Sequence, residues 1–315
     1  MEAAAVIPHL LDVFAMIHFL GRYQPRWLSL FAAVLTLSWM GCGQPVPSKP
    51  AANSSPAMTA TVETKPAPAK PAETAQSNQV AIAAAADLKF ALDELLVEFG
   101  KEHPEIKATA TYGSSGNFFA QLSNKAPFDL YLSADIDYPK KLIEQNLAIR
   151  ESEFRYAVGH IVVWVPKDSP LKVEQEGMQT LIDPSIKRIA IANPKHAPYG
   201  RAALAALKSQ EIHEQIEDKL VLAENIAQTA QFIETGAADI GIISLSLAMA
   251  PTLKEKGRYW QIPVTAHPPI EQAGVILSWV KDRAATDAVR EYMTSKAGRE
   301  VLLKYGFDEP MKLEN

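Results

Sequence analysis

Four short segments carry groups that can hold an anion without a formal positive charge. They are Ala84-Ala85-Ala86-Asp87, Tyr112-Gly113-Ser114-Ser115-Gly116, Asn193 to Gly200, and Ala223-Glu224-Asn225-Ile226. Each joins a short apolar run to an amphipathic one. At such a junction a strand leads into a helix whose first N–H groups lack partners and carry partial positive charge. In the second segment the glycines let backbone N–H groups approach a ligand, and Ser114 and Ser115 add hydroxyl donors. The same serines also suit a plain role as helix caps, with Ser115 the better ligand and Ser114 the better cap. Tyr199, within Pro198-Tyr199-Gly200, offers a phenol to an anion or a ring to the core. Asp87 opposes an anion if it faces one; as an N-cap its carboxylate turns away and leaves only its N–H for the ligand.

The elements that must position these groups alternate along the chain. Strand-like runs occur at Val80 to Ala85, Asp129 to Ser133, Val158 to Val165, Arg188 to Ala192, Leu220 to Ala223, Asp239 to Ser244, Trp260 to Val264 and Gly274 to Val280. Amphipathic stretches lie between them, and a helical pattern closes the chain over Asp287 to Tyr305. This is an α/β pattern, in which ligands bind beyond the carboxyl ends of the strands. In the first amphipathic stretch Leu88, Leu92, Leu95, Leu96 and Phe99 share one face, which predicts a half-buried helix with Asp87 at its N-cap and Gly100 just past its end.

The first 42 residues stand apart from this organisation. Arg22 and Arg26 precede an apolar run of about 14 residues from Trp27 to Met40, too short to span a bilayer and suited to an export signal. It ends at Gly41-Cys42, which resembles the acylation site of bacterial lipoproteins although Trp39 replaces the usual leucine, so Cys42 is the expected lipidation site. Residues 43–78 are rich in Pro, Ala, Ser and Thr and read as a tether. A single cysteine excludes an internal disulfide, and a net charge of −5 gives no support to nucleic-acid binding. Catalysis finds little support. No base is placed beside Ser115 as a Ser-dependent hydrolase requires, and the seven histidines, His196 among them as a solvated residue, show no spacing that ligates a cation directly.

From about Val80 to Phe307 the chain resembles the molybdate-binding proteins of ABC importers. The resemblance is carried by Ala83 to Leu88, Tyr112 to Gly116, Ala126-Pro127-Phe128-Asp129, Ser133-Ala134-Asp135, Asn193-Pro194 with Ala197 to Gly200, Glu224-Asn225-Ile226, Gly241-Ile242-Ile243 and Lys304-Tyr305-Gly306-Phe307. It implies the two-lobed periplasmic-binding-protein fold of type II, each lobe a mixed sheet flanked by helices, with the ligand in the interlobe cleft. The expected lobes are 79–163 with 259–315, and 164–258. By matching position, Ser115 donates through its hydroxyl and N–H, Tyr199 through its N–H and phenol, and Ile226 through its N–H. Ala86 and Asp87 stand where the family places a hydroxyl or amide, and Ser244 where many members place a tyrosine that reaches the anion. The implied ligand is molybdate or tungstate with no cofactor, and the implied partners are the permease subunits of an ABC transporter. The expected protein is a monomer on the outer side of a membrane, touching the bilayer only through its lipid. Phosphate or sulfate as ligand, and a sensor in place of a transport component, are the alternatives.

Overall fold

A computed structural model describes residues 78–310, so the expected signal, Cys42 and residues 43–77 of the tether lie outside the described residues. Ten strands occur among them: β1 (Gln79–Ala85), β2 (Lys107–Gly113), β3 (Leu130–Ser133), β4 (Phe154–Gly159), β5 (Ile161–Pro166), β6 (Ile189–Ala192), β7 (Leu220–Ala223), β8 (Ile240–Ser244), β9 (Gly257–Gln261) and β10 (Ile270–Ile276). They form two five-stranded sheets of matching design, ordered β2-β1-β3-β10-β4 and β7-β6-β8-β5-β9. In the first, β1 pairs in parallel with β2 and β3, and β10 runs antiparallel between β3 and β4. In the second, β6 pairs in parallel with β7 and β8, and β5 runs antiparallel to β8 and β9.

Both central parallel strands are almost wholly buried, as sheets covered by helices on both faces require. The alanines of β1, fully enclosed from Ala83 to Ala85, let helices lie close on either side. The helix Lys89–Glu102 turns Ala91, Leu92, Leu95 and Phe99 onto the first sheet, matching the face read from sequence. Its ends differ from expectation. Asp87 lies inside a 3-10 turn, Ala86–Leu88, and makes no capping hydrogen bond, because its side chain is engaged elsewhere. Gly100 does not stop the helix either. Nothing crowds that position, and the chain continues to Glu102 before the His103 N–H bonds the Phe99 carbonyl and the two rings stack at 4.7 Å.

The apolar run Val158 to Val165 is not one strand. It is divided at His160, with β4 in the first sheet and β5 in the second. The return passage occupies residues 262–269, between β9 and β10. The sheets therefore change over a few residues away from the 163/164 and 258/259 positions expected for the lobes. The strand β10 begins four residues before the expected Gly274 and carries the buried Gln272. The terminal helical pattern is likewise two helices, Arg283–Thr294 and Lys296–Lys304, with Ser295 ending one and capping the other through the Gly298 N–H.

Candidate functional site

The four junctions converge. A small cavity between the sheets is lined by Ala85, Ala86 and Asp87 at the end of β1, Gly113, Ser114 and Ser115 at the end of β2, Ala197, Pro198 and Tyr199 after β6, Ile226 after β7, and Ala134 after β3. The centre of a water-sized sphere can move through about 10 Å³ there, about the room that one water molecule needs, so the junctions are drawn tightly together.

Local chemistry explains why each junction offers an N–H group. Ser114 is the extended N-cap of the helix Ser115–Ser123, and its Oγ accepts the Asn117 N–H at 3.3 Å. Ser115 is therefore the first helical residue, whose N–H no earlier turn of its helix can satisfy. Its hydroxyl is fully buried and accepts the Ala134 N–H at 3.0 Å, so its own proton is free to be aimed at a ligand. Asn225 caps the helix Ile226–Glu234 by accepting the N–H groups of both Ala227 and Gln228 at 3.0 Å, leaving that of Ile226. Pro198 opens the helix Pro198–Ser209, where it has no N–H to waste, and places Tyr199 second. Gly200 is required at that point: a Cβ there would stand 2.1 Å from the Ala192 carbonyl oxygen.

Six of the seven expected ligand residues thus meet at one cavity: Ala86, Asp87, Ser114, Ser115, Tyr199 and Ile226. Ser244 is not among the lining residues. Its hydroxyl caps the short helix Leu245–Ala248 through the Leu247 N–H and is in hydrogen-bond contact with Ser246 Oγ at 3.0 Å. His196 is also placed differently from the solvated residue expected. It is half-buried, with Nδ1 in hydrogen-bond contact with Ser114 Oγ at 2.9 Å, and its carbonyl accepts the Gly116 N–H at 2.9 Å.

Charge at the cavity comes from Asp87 alone; no lysine or arginine lines it. Nearby Arg201 is paired with Asp135 and also donates to the Tyr138 hydroxyl at 3.3 Å. The Asp87 carboxylate is not a cap. Its Oδ2 accepts the Tyr199 phenol at 2.8 Å and the Gln272 amide at 2.7 Å, and Gln272 also donates to the Tyr199 oxygen at 3.0 Å. Burial raises the Asp87 pKa from 3.8 to about 6, and the Gln272 and Tyr199 hydrogen bonds only partly offset it. The phenol of Tyr199 is therefore committed to Asp87. Gln272 has no sequence signal: a single amide in an otherwise ordinary strand does not announce a partner at the other side of the fold.

Several of these bonds join the two sheets. Tyr199 to Asp87, His196 to Ser114 and Gly116, Asn117 Nδ2 to Glu224 Oε1 at 3.3 Å, and Ser246 Oγ to the Asp87 carbonyl at 2.8 Å all cross the cleft. The arrangement is closed. Two mixed sheets, a short crossing and a small cavity between them ringed by helix starts define a two-lobed solute-binding protein. Residues 80–308 match the family of bacterial extracellular solute-binding proteins, and the chain belongs to that family, in the branch of its ModA relatives.

Two of those relatives are the molybdate-binding proteins ModA of Azotobacter vinelandii and Rhodobacter capsulatus. The first is 35% identical over 233 residues, covering 74% of this chain and 91% of its own. The second is 35% identical over 199 residues, covering 63% and 76%. The solved structure of the periplasmic molybdate-binding protein of Azotobacter vinelandii superimposes with a TM-score of 0.69 at 28% identity, over 74% of this chain and all of that one.

Proposed function

We propose that this protein captures molybdate or tungstate outside the cytoplasm and delivers it to the permease subunits of an ABC importer. The observation that carries this reading is the convergence of the Ser115, Tyr199 and Ile226 helix starts and the Ser115 hydroxyl on one small cavity without a cation. Neutral donors at helix ends bind a dianion with geometric selectivity, whereas a buried lysine or arginine would cost desolvation and hold any oxyanion. The ModA relatives, which are molybdate-binding proteins, support the same ligand.

In this reading the first sheet and its helices form one lobe and the second sheet the other, and the anion favours closure because only the closed form presents donors from both. The protein acts as a monomer without enzymatic activity. Residues 1–42 direct export, Cys42 carries the lipid, and residues 43–78 hold the binding domain away from the membrane.

The test is a thermal-shift panel on the purified protein at neutral pH with molybdate, tungstate, phosphate, sulfate and no addition. At a hundredfold excess over Kd the ligand adds about 2.7 kcal/mol, a rise of roughly 5 to 10 °C. Stabilisation by molybdate and tungstate alone is expected; stabilisation by phosphate or sulfate instead would overturn the ligand assignment.

Ser115→Ala is expected to weaken molybdate binding by roughly ten- to a hundredfold, through loss of one donor to a charged ligand. It also strips the acceptor from the buried Ala134 N–H, so the ligand-free protein should lose about 1 to 3 kcal/mol as well. Tyr199→Phe should have the smaller effect on binding, because the phenol serves Asp87. Calorimetric titration of both variants with molybdate checks the order.

A further inference from the structure

A carboxylate in an anion cavity demands an explanation that the helix starts do not supply. Asp87 is 1% exposed and lines the cavity, and no lysine or arginine shares that lining. Its Oδ2 already receives two hydrogen bonds, whereas its Oδ1 is buried with no hydrogen-bond partner among the described residues. The groups that face the carboxyl are neutral. They are Tyr199 from the helix Pro198–Ser209, Gln272 from β10, and Tyr156 from β4, and burial holds both phenols well above their ordinary pKa. Ser246, from the helix after β8, meets only the Asp87 carbonyl. His196 meets Ser114 across the cleft, and Glu224, Asp135 and Arg201 are further charged groups at its mouth, none of them hydrogen-bonded to the Asp87 carboxyl.

An ionised Oδ1 beside a bound dianion would leave three negative charges in a space without a compensating cation, a repulsion that a low-dielectric site magnifies. A protonated Oδ1 reverses this. The two donors fix Oδ2 as the acceptor oxygen and leave Oδ1 to carry the proton, turning the carboxyl into one more neutral donor of the kind the rest of the cavity uses.

Building on the anion-binding role proposed above, we infer that Asp87 binds the oxyanion as a neutral acid, so that capture of a fully deprotonated tetrahedral dianion takes up one proton from water onto Asp87 Oδ1. The proton forms an O–H bond that donates to an anion oxygen, and the net charge brought into the cavity falls by one. Release into a transporter returns the proton to solvent. The raised pKa of the ligand-free carboxyl, about 6, already inclines it to this state, and a neighbouring anion raises it further. An oxyanion arriving with its own proton would satisfy Asp87 without drawing on solvent, so the same chemistry has two proton sources that titration separates.

The experiment is calorimetric titration of the purified full-length protein with molybdate at pH 7.5, in buffers of different protonation enthalpy, repeated at several pH values between 6.5 and 8.5. Uptake of about one proton per anion is expected, with Kd weakening about tenfold per pH unit across the window between the free and bound pKa values of Asp87. Asp87→Asn is expected to exchange no proton and to bind with a Kd that is flat in pH. Tight molybdate binding by the unmodified protein with no proton uptake and a flat Kd overturns the inference and leaves the transport role standing. Uptake that persists in Asp87→Asn, or disappears in His196→Gln, assigns the proton elsewhere and also overturns it. Absence of any binding heat or thermal shift with molybdate and tungstate defeats the ligand assignment itself. Because the unmodified protein is decisive alone, the test survives a variant that does not fold.

Discussion

Gly116→Ala should abolish tight ligand binding while leaving both sheets and their helices folded. The second residue of the helix Ser115–Ser123 lies where the two sides of the cleft meet, and a Cβ there would stand 2.5 Å from the His196 carbonyl oxygen and 2.8 Å from the Tyr138 hydroxyl. The first is a backbone atom that cannot swing away. Relief requires the lobes to part by roughly an ångström, which stretches the donors on one side away from an anion held by the other. It also breaks the Gly116 N–H bond to His196. A loss of about 3 kcal/mol or more, at least a hundredfold in Kd, is the expected scale. Within an open protein alanine is a better helix residue than glycine, so the ligand-free melting temperature should hold or rise slightly. Unchanged molybdate affinity in calorimetry would show that closure does not need this contact.

The second large effect is a pH dependence of stability traceable to one carboxyl. Asp87 ionises near pH 3.8 when unexposed to the fold and near 6 within it, so the folded state binds the proton more tightly. Its contribution is therefore favourable at low pH and is lost as pH rises from about 4 through 6, amounting to about 3 kcal/mol above that window. Elsewhere in the protein an opposing group acts. Burial lowers the His267 pKa, which makes stability rise with pH as that imidazole becomes neutral. Comparing the unmodified protein with Asp87→Asn cancels His267 and isolates Asp87. Between pH 4.5 and 7.5, where about 2 kcal/mol of this is lost, the difference in melting temperature between the two should change by roughly 4 to 8 °C, the variant gaining as pH rises. Parallel melting curves across that range would contradict a buried, destabilised carboxylate.

Much of this site was legible because its signals are local. Gly, Pro, Ser and Asn mark the strand-to-helix junctions, and each punctuates backbone within a few residues of itself. That punctuation marked Ser114 as the better cap, whereas the Ser115 and Ile226 N–H groups were singled out by the family resemblance. What escaped sequence reading depends on distant partners. Asp87 looked like an N-cap because its neighbours fit one, yet its bonds run to Tyr199 and Gln272, 112 and 185 residues away. The division of Val158 to Val165 was hidden for a related reason: the run is equally apolar on both sides of His160, and only pairing partners tell β4 from β5. Ser244 was placed by positional correspondence, which carries no information on whether a hydroxyl is already spent as a cap.

The passage at His160 has a mechanical consequence. One residue between two strands supplies only two soft backbone torsions, each strand being pinned in its own ladder, while the return passage of residues 262–269 is eight residues long. The lobes cannot slide or drift apart at the short link, so what remains to them is rotation about it. Opening and closing of the cleft is thereby reduced to a turn of one sheet against the other about His160, and a change in that one residue's backbone freedom would be felt at every donor in the cavity.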